Sequence, residues 1–134
     1  MRRVAGDRFL QGLAETICTN GPSVLEGVDA ALEQDRLFRI RYLVAHAYGV
    51  RPGVLTSLPP SVKAALARSL AIAVARDILC TDLRVLARHF GCAGPAEAAE
   101  HCNLIARRID NDSRLATTVT FAKASCAVAL GLDV

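Results

Sequence analysis

The stretch that decides the fold runs from residue 64 to residue 110 and reads AALARSLAIAVARDILCTDLRVLARHFGCAGPAEAAEHCNLIARRID. Apolar residues recur at every fourth position in its first part: Leu66, Leu70, Val74 and Ile78. This spacing is typical of one buried face of an α-helix. Asp82 precedes a second apolar run. It suits the N-cap of a new helix, because its carboxylate can accept hydrogen bonds from the free amides of a first turn.

A tight turn follows this second, short helix. Gly91 is predicted to end the helix, because glycine accepts the left-handed backbone of a helix C-terminus. Gly94 and Pro95 are predicted to open the next helix, since the amide that proline lacks would have no partner at the first helical position. Two helices joined by three or four residues with a glycine in the turn form a helix-turn-helix. The sequence therefore predicts a compact, all-α domain that contains this motif.

Several groups of residues in and before this stretch carry a family resemblance: 43–50 with 54–55, 70–78, Leu83 with Leu86, 89–91, and 101–102 with Ile105. Together they resemble the C-terminal DNA-binding domain of the bacterial replication initiator DnaA, over roughly residues 38 to 120. The resemblance implies the Trp-repressor-like helical fold of that domain. It also implies double-stranded DNA as a partner.

The DNA-reading positions depart from the family pattern. The family carries a Gly, Arg, Asp, His, Thr, Thr run in the turn and second helix, whereas residues 92–97 here read Cys-Ala-Gly-Pro-Ala-Glu. Base readout in the major groove needs donors such as Arg, Asn or Gln near this turn. Glu97 could accept a hydrogen bond from a cytosine amine, but it also repels phosphates. We therefore do not expect binding to the initiator's own DNA box.

Cations near the motif are the remaining candidates for DNA contact. The candidate phosphate ligands are Lys63, Arg68, Arg84, Arg88, Arg107 and Arg108. In the family the connector before the motif is a basic loop that inserts arginine into the minor groove, whereas here residues 56–60 read Thr-Ser-Leu-Pro-Pro. The net charge of +3 is mildly basic and compatible with nucleic acid binding.

Two classes of function remain open. The first is a small helix-turn-helix DNA-binding protein that regulates transcription or replication in the bacterial cytoplasm. The second is a helical adaptor that has kept the initiator scaffold, no longer reads DNA and binds a protein partner. Fold alone does not decide between them.

Catalysis, cofactors and membranes are not expected. No glycine-rich phosphate loop is present, so we expect no nucleotide binding and no enzyme activity. The five cysteines lie mostly at apolar helical positions and indicate reduced core thiols. A metal site from His89, Cys92, His101 and Cys102 is not expected, because adjacent residues on a helix point about 100° apart. No apolar run reaches the roughly 18 residues of a membrane span, and no signal peptide is recognisable.

The flanking segments complete the prediction. We expect an N-terminal helical extension over residues 1–37 and the helix-turn-helix domain over residues 38–134. The extension is predicted to hold a helix over residues 7–19 and a second helix opened by a capping box of Ser23 and Glu26, with the next helix from about Asp35. The last helix is apolar on more than one stripe. Its surplus face is predicted either to be covered by residues 7–33 or to form a homodimer.

Overall fold

The computed structural model describes residues 22–132, with side chains from residue 30 onward. The chain divides into two compact units, residues 1–35 and residues 36–134. The described residues form five α-helices and one 3-10 helix: α1 (Pro22–Tyr48), the 3-10 helix (Pro52–Thr56), α2 (Val62–Leu79), α3 (Leu83–His89), α4 (Pro95–Ile109) and α5 (Ser113–Ala129). No strand occurs between residues 22 and 132. The predicted all-α class is confirmed.

The first helix differs from its prediction. We predicted a break before Asp35, but α1 is one helix of 27 residues, and Ser23 lies inside it. Residues 31–48 contain no glycine or proline, so nothing in this segment interrupts the backbone hydrogen bonds. Gly49, with a φ of +67°, follows the end of the helix. The helix predicted over residues 7–19 lies outside the described residues.

The core of the second unit forms around α2. This helix contacts α3, α4, α5 and the 3-10 helix, and every residue from 67 to 75 is buried. The sequence predicted one apolar stripe, whereas neighbours surround this part of the helix. The predicted core residues that are fully buried with it are Leu70, Val74, Leu86, Phe90 and Ile105. Leu83 and Cys102 are partly buried and pack against this core.

The predicted helix starts are confirmed by their caps. Asp82 Oδ1 accepts a hydrogen bond from the Arg84 amide at 2.8 Å and opens α3. The helix α4 begins at Pro95 after Gly94. Asp112 Oδ1 accepts from the Leu115 amide at 3.0 Å and opens α5. Short polar side chains thus open α3 and α5, whereas Gly94 and Pro95 open α4 without a side-chain cap.

The connector between α1 and α2 is partly helical. Thr56, the first residue of the connector 56–60, is the last residue of the 3-10 helix, which buries Leu55. The chain becomes extended at Ser57, and the next residue, Leu58, is 90% exposed. None of the described helices is long and apolar enough to cross a membrane.

Candidate nucleic-acid interface

The helix-turn-helix consists of α3, residues 90–94 and α4. The amide of Phe90 donates to Leu86 O at 2.9 Å, and the amide of Cys92 donates to Ala87 O at 2.8 Å. Gly91 between them has a φ of +67°. This is a Schellman motif, which satisfies the last carbonyls of α3 and turns the chain toward α4.

A close backbone contact requires glycine at position 91. A Cβ atom added there would overlap the carbonyl oxygen of Thr56, the last residue of the 3-10 helix. The turn of the motif therefore packs directly on the segment that leads into α2. Glycine is therefore required at position 91 both for its left-handed backbone and for its lack of a side chain.

Arg68 holds the same turn from the inside of the protein. Its Nε and Nη2 donate to Phe90 O at 3.2 and 2.9 Å, and Nη2 also donates to Gly91 O at 3.1 Å. The residue is only 5% exposed. A guanidinium committed to two backbone carbonyls cannot reach a phosphate, so our prediction of Arg68 as a DNA contact is corrected. Its role is to position the turn.

Glu97 connects the turn to the first half of α4. Its Oε1 accepts from the Ala93 amide at 3.3 Å, and its Oε2 lies 3.5 Å from Arg68 Nη2 and 3.6 Å from His101 Nε2. The hydrogen bond from Ala93 and the charges of Arg68 and His101 lower the pKa of the Glu97 carboxyl. The carboxylate predicted to face cytosine is therefore engaged by the protein itself.

Two more side chains complete this cluster. Ser69, on α2, is 2% exposed, and its Oγ lies 2.7 Å from His101 Nδ1. Burial, together with the charge of Arg68, lowers the pKa of His101. Burial also raises the pKa of the Cys92 thiol to about 11, so this side chain is a neutral thiol that hydrogen bonds with Glu97. The turn is thus held by a polar network as well as by apolar packing.

The outward face of α4 offers different chemistry. Four exposed residues lie on one stripe of this helix at spacings of four, three and four: Ala96, Glu100, Asn103 and Arg107. The first half of the stripe has no hydrogen-bond donor, and the second half has two. Sequence reasoning missed Asn103, because it considered only the first turn of the helix. Counting the helical period from Ala96 would have placed Asn103 on this face.

The other candidate cations are all exposed: Lys63, Arg84, Arg88, Arg107 and Arg108. The Arg84 side chain is 78% exposed and lies 3.9 Å from Asp82, a contact too long to restrain it. Arg107 lines a groove of about 630 Å³ between Leu58 of the connector and α4. Arg108 lies near Tyr48. Burial raises the pKa of the Tyr48 hydroxyl, and the positive charge of Arg108 partly offsets this rise.

Comparison with known proteins gives one informative likeness. The fold is similar to that of a solved DNA replication initiation factor, with a TM-score of 0.74 and 20% sequence identity. The similar region covers 92% of this chain but only 37% of the other protein. No family model matches the sequence, and no curated protein matches it. At this identity the likeness shows the fold alone, and the chain therefore has the replication-initiator fold that the DnaA resemblance implied.

Proposed function

We propose that this chain is a non-catalytic helix-turn-helix protein that binds double-stranded DNA in the bacterial cytoplasm and regulates replication or transcription. The observation that supports this proposal best is the division within the motif. Its turn is fixed from inside by Arg68, while five of the six candidate cations remain exposed around α3 and α4. An exposed cation can exchange its counterions for DNA phosphates without breaking any contact within the protein.

In this proposal α4 lies in the major groove and α3 crosses the backbone. Arg84 and Arg88 of α3 bind phosphates. Asn103 and Arg107 approach base edges, since asparagine pairs with adenine and arginine with guanine. Glu100, near the start of the same face, repels phosphates and keeps the N-terminal turn of α4 away from the backbone. Affinity is therefore mainly electrostatic, and readout is limited to the second half of the helix.

The experiment is a salt-dependent titration of the full chain with duplex DNA. Each phosphate contact contributes about −0.9 to the slope of log affinity against log salt, so Arg84→Ala with Arg88→Ala should reduce the slope by about two contacts. The matched control is Arg36→Ala with Arg114→Ala, which removes the same charge from exposed positions outside the motif. A slope that falls equally in both double variants would show nonspecific charge attraction, not docking through α3.

A separate surface supports self-association. Phe121 and Val128 of α5 are 72% and 71% exposed, and their separation of seven residues places them on one face. Phe38 and Tyr42 of α1 are also about half exposed. The predicted apolar surplus of the last helix is therefore present. Since large exposed apolar groups mark contact surfaces, we propose a homodimer formed through this face of α5.

Sedimentation at several concentrations tests the dimer. Leu130 packs against the core, so a charge there would disturb the fold, whereas Phe121→Glu with Val128→Glu changes only exposed side chains. Thr120→Glu adds a charge at an exposed position on another face of the same helix and serves as the control. A dimer that Thr120→Glu preserves and the double variant dissociates supports the proposal. A monomer at every concentration contradicts it.

A further inference from the structure

The cluster at the turn of the motif combines side chains that can bind a metal ion. It contains a thiol, a carboxylate and an imidazole, supplied by Cys92, Glu97 and His101. One ligand atom from each lies within 4.8 Å of the other two. Thiolate, carboxylate and imidazole are the three protein ligands that zinc uses. All three residues are partly buried, which leaves one side open to solvent.

We propose that Cys92, Glu97 and His101 form a three-ligand site for a divalent transition metal such as zinc. The fourth coordination position of the metal is open to water. Metal bonds of about 2.0–2.3 Å in a tetrahedral site place ligand atoms about 3.3–3.7 Å apart. Glu97 Oε2 and His101 Nε2 are already 3.6 Å apart. The remaining separations, within 4.8 Å, need to shorten by up to about 1.5 Å, which side-chain rotation can supply.

The local backbone explains why these residues converge. Glu97 and His101 are four residues apart on α4 and therefore share a face. Cys92 approaches that face from the Schellman turn. Our earlier exclusion of a metal site considered His101 with Cys102, which point in different directions on the helix. That argument did not consider Glu97.

A second contact orients the imidazole for metal binding. Ser69 Oγ lies 2.7 Å from His101 Nδ1, where it can accept a hydrogen bond from the protonated Nδ1 and leave Nε2 unprotonated and free as a ligand. Metal-binding histidines usually donate their other ring N–H in this way, and loss of the acceptor weakens metal binding about 10–100-fold. Ser69 is buried in α2, so its position is fixed by the core.

Arg68 is compatible with a bound cation. Its short hydrogen bonds go to Phe90 O and Gly91 O, whereas Cys92 Sγ and Glu97 Oε2 lie farther from Nη2, at 3.6 and 3.5 Å. The guanidinium can therefore remain on the carbonyls and act as an outer hydrogen-bond donor to the two anionic ligands. Binding replaces the proton of the Cys92 thiol with the metal, and that proton is released to solvent. The thiolate, the carboxylate and the divalent metal together are neutral.

Cobalt titration of the full, untagged chain tests the site directly. One equivalent of Co²⁺ should produce thiolate-to-cobalt charge-transfer absorption and the visible bands of a four-coordinate ion, and Zn²⁺ should displace it. Cys92→Ser and His101→Gln should abolish this signal, and Ser69→Ala should weaken binding at least about tenfold. Cys80→Ser is the control, because Cys80 is an exposed thiol outside the cluster.

Each outcome decides the matter independently of DNA binding. A signal lost in Cys92→Ser and kept in Cys80→Ser supports the site. A signal kept in Cys92→Ser overturns it, because another thiol then binds the metal. The complete absence of charge-transfer absorption in the folded wild-type chain also overturns it. Circular dichroism of each variant without metal shows that a lost signal does not reflect unfolding.

Discussion

The two sides of the helix-turn-helix differ sharply in what their residues contact. The inner side consists of α2, the turn and the buried face of α4, where Arg68, Gly91 and Phe90 touch one another or the neighbouring backbone. The outer side is the stripe of α4 that includes Asn103 and Arg107, which face solvent. The apolar framework on which the resemblance to the initiator domain rests lies on the inner side, and the departures from that family's DNA-reading pattern lie around the turn and α4.

This difference separates residues that hold the fold from residues that are free to contact a partner. A residue of the inner side is restrained by several neighbours at once, so a substitution there disturbs packing, hydrogen bonds and backbone geometry together. A residue of the outer side is restrained only by what it binds. We therefore expect substitutions on the inner side to change the free energy of unfolding. Those on the outer side should change DNA binding alone.

The largest effect is expected from Gly91→Ala. Its new Cβ would overlap Thr56 O, and the residue would also keep a φ of +67°. We expect a loss of more than about 4 kcal/mol in the free energy of unfolding, in the range reserved for severe backbone conflicts. Gly49→Ala is the matched control, because Gly49 has the same φ but nothing within 4 Å of an added Cβ. Its left-handed backbone alone should cost about 1–2 kcal/mol.

Urea unfolding followed by circular dichroism measures both variants. The difference between them isolates the contact with Thr56, because the backbone strain is common to both. Equal losses would show that the turn does not need this close approach. The packing of the turn against Thr56 would then restrain the inner side less than we infer.

Arg68 of α2, which holds the turn, and Arg84 of α3 give the next largest contrast. Arg68→Ala would leave the carbonyls of Phe90 and Gly91 without their buried donor, and each unsatisfied group costs about 1–3 kcal/mol. We expect a total loss of about 3 kcal/mol. Arg84→Ala removes an exposed side chain and should change stability by less than about 0.5 kcal/mol.

In DNA affinity the order should be reversed, with the larger loss in Arg84→Ala. Affinity is measured at a temperature where both variants are folded. Arg84→Ala should weaken binding and reduce its salt dependence, whereas Arg68→Ala should leave the number of phosphate contacts unchanged. If the two variants lost stability equally, the assignment of Arg68 to the inner side would be wrong.

Local signals in the sequence predicted most of the fold. Asp82, Gly91, Pro95 and Asp112 mark helix ends through short-range hydrogen bonds and backbone preference, and the structure places all four at helix boundaries. The predicted helix start at Ser23 lies one residue from the first residue of α1, Pro22, but the continuity of α1 was missed, because a new helix was predicted from about Asp35. Residues 31–48 contain no glycine or proline, so nothing in this segment ends the helix before Asp35.

The candidate site was less predictable, because its side chains come from distant parts of the sequence. Arg68 was taken for a phosphate ligand on its charge alone, and its partners lie 22 and 23 residues away at Phe90 and Gly91. No periodicity in the sequence indicates such a contact. The grouping of Cys92 with His101 likewise needs the path of the turn. Asn103 is the exception, since the helical period was sufficient to place it on the outer face.

A pH effect of intermediate size is expected from His89, near the end of α3. Burial, and then the charge of Arg41, lower the pKa of this imidazole from 6.5 to about 4. The unfolded chain therefore binds a proton between pH 6.5 and 4 that the folded chain does not. The contribution of neutral His89 to stability is complete above pH 6.5 and is lost as the pH falls to about 4, by about 2–3 kcal/mol.

Unfolding at pH 7 and at pH 4.5 measures this effect. His89→Phe has no titrating ring and should lose less stability on acidification than the wild type. His46→Gln is the control, because His46 is exposed on α1, and it should remain as acid-sensitive as the wild type. An unchanged pH dependence in His89→Phe would mean that the ring is hydrated in the folded chain.

The smallest effect, and the one that tests the outer side most directly, is expected from Asn103→Ala. Asn103 is exposed in the middle of α4, so its removal should change stability by less than about 0.5 kcal/mol. An asparagine that pairs with adenine discriminates against the wrong base by about 1–3 kcal/mol. We therefore expect a loss of about tenfold in affinity for a preferred duplex, and little loss for a random one, because phosphate contacts do not depend on sequence. Selection of bound duplexes from a random pool, repeated with the variant, measures this difference. Ala96→Ser is the control, since it places a small polar group one half-helix earlier on the same stripe. If wild type and Asn103→Ala select the same sequences with the same affinity, then α4 reads no base through this residue, and the outer side binds DNA through charge alone.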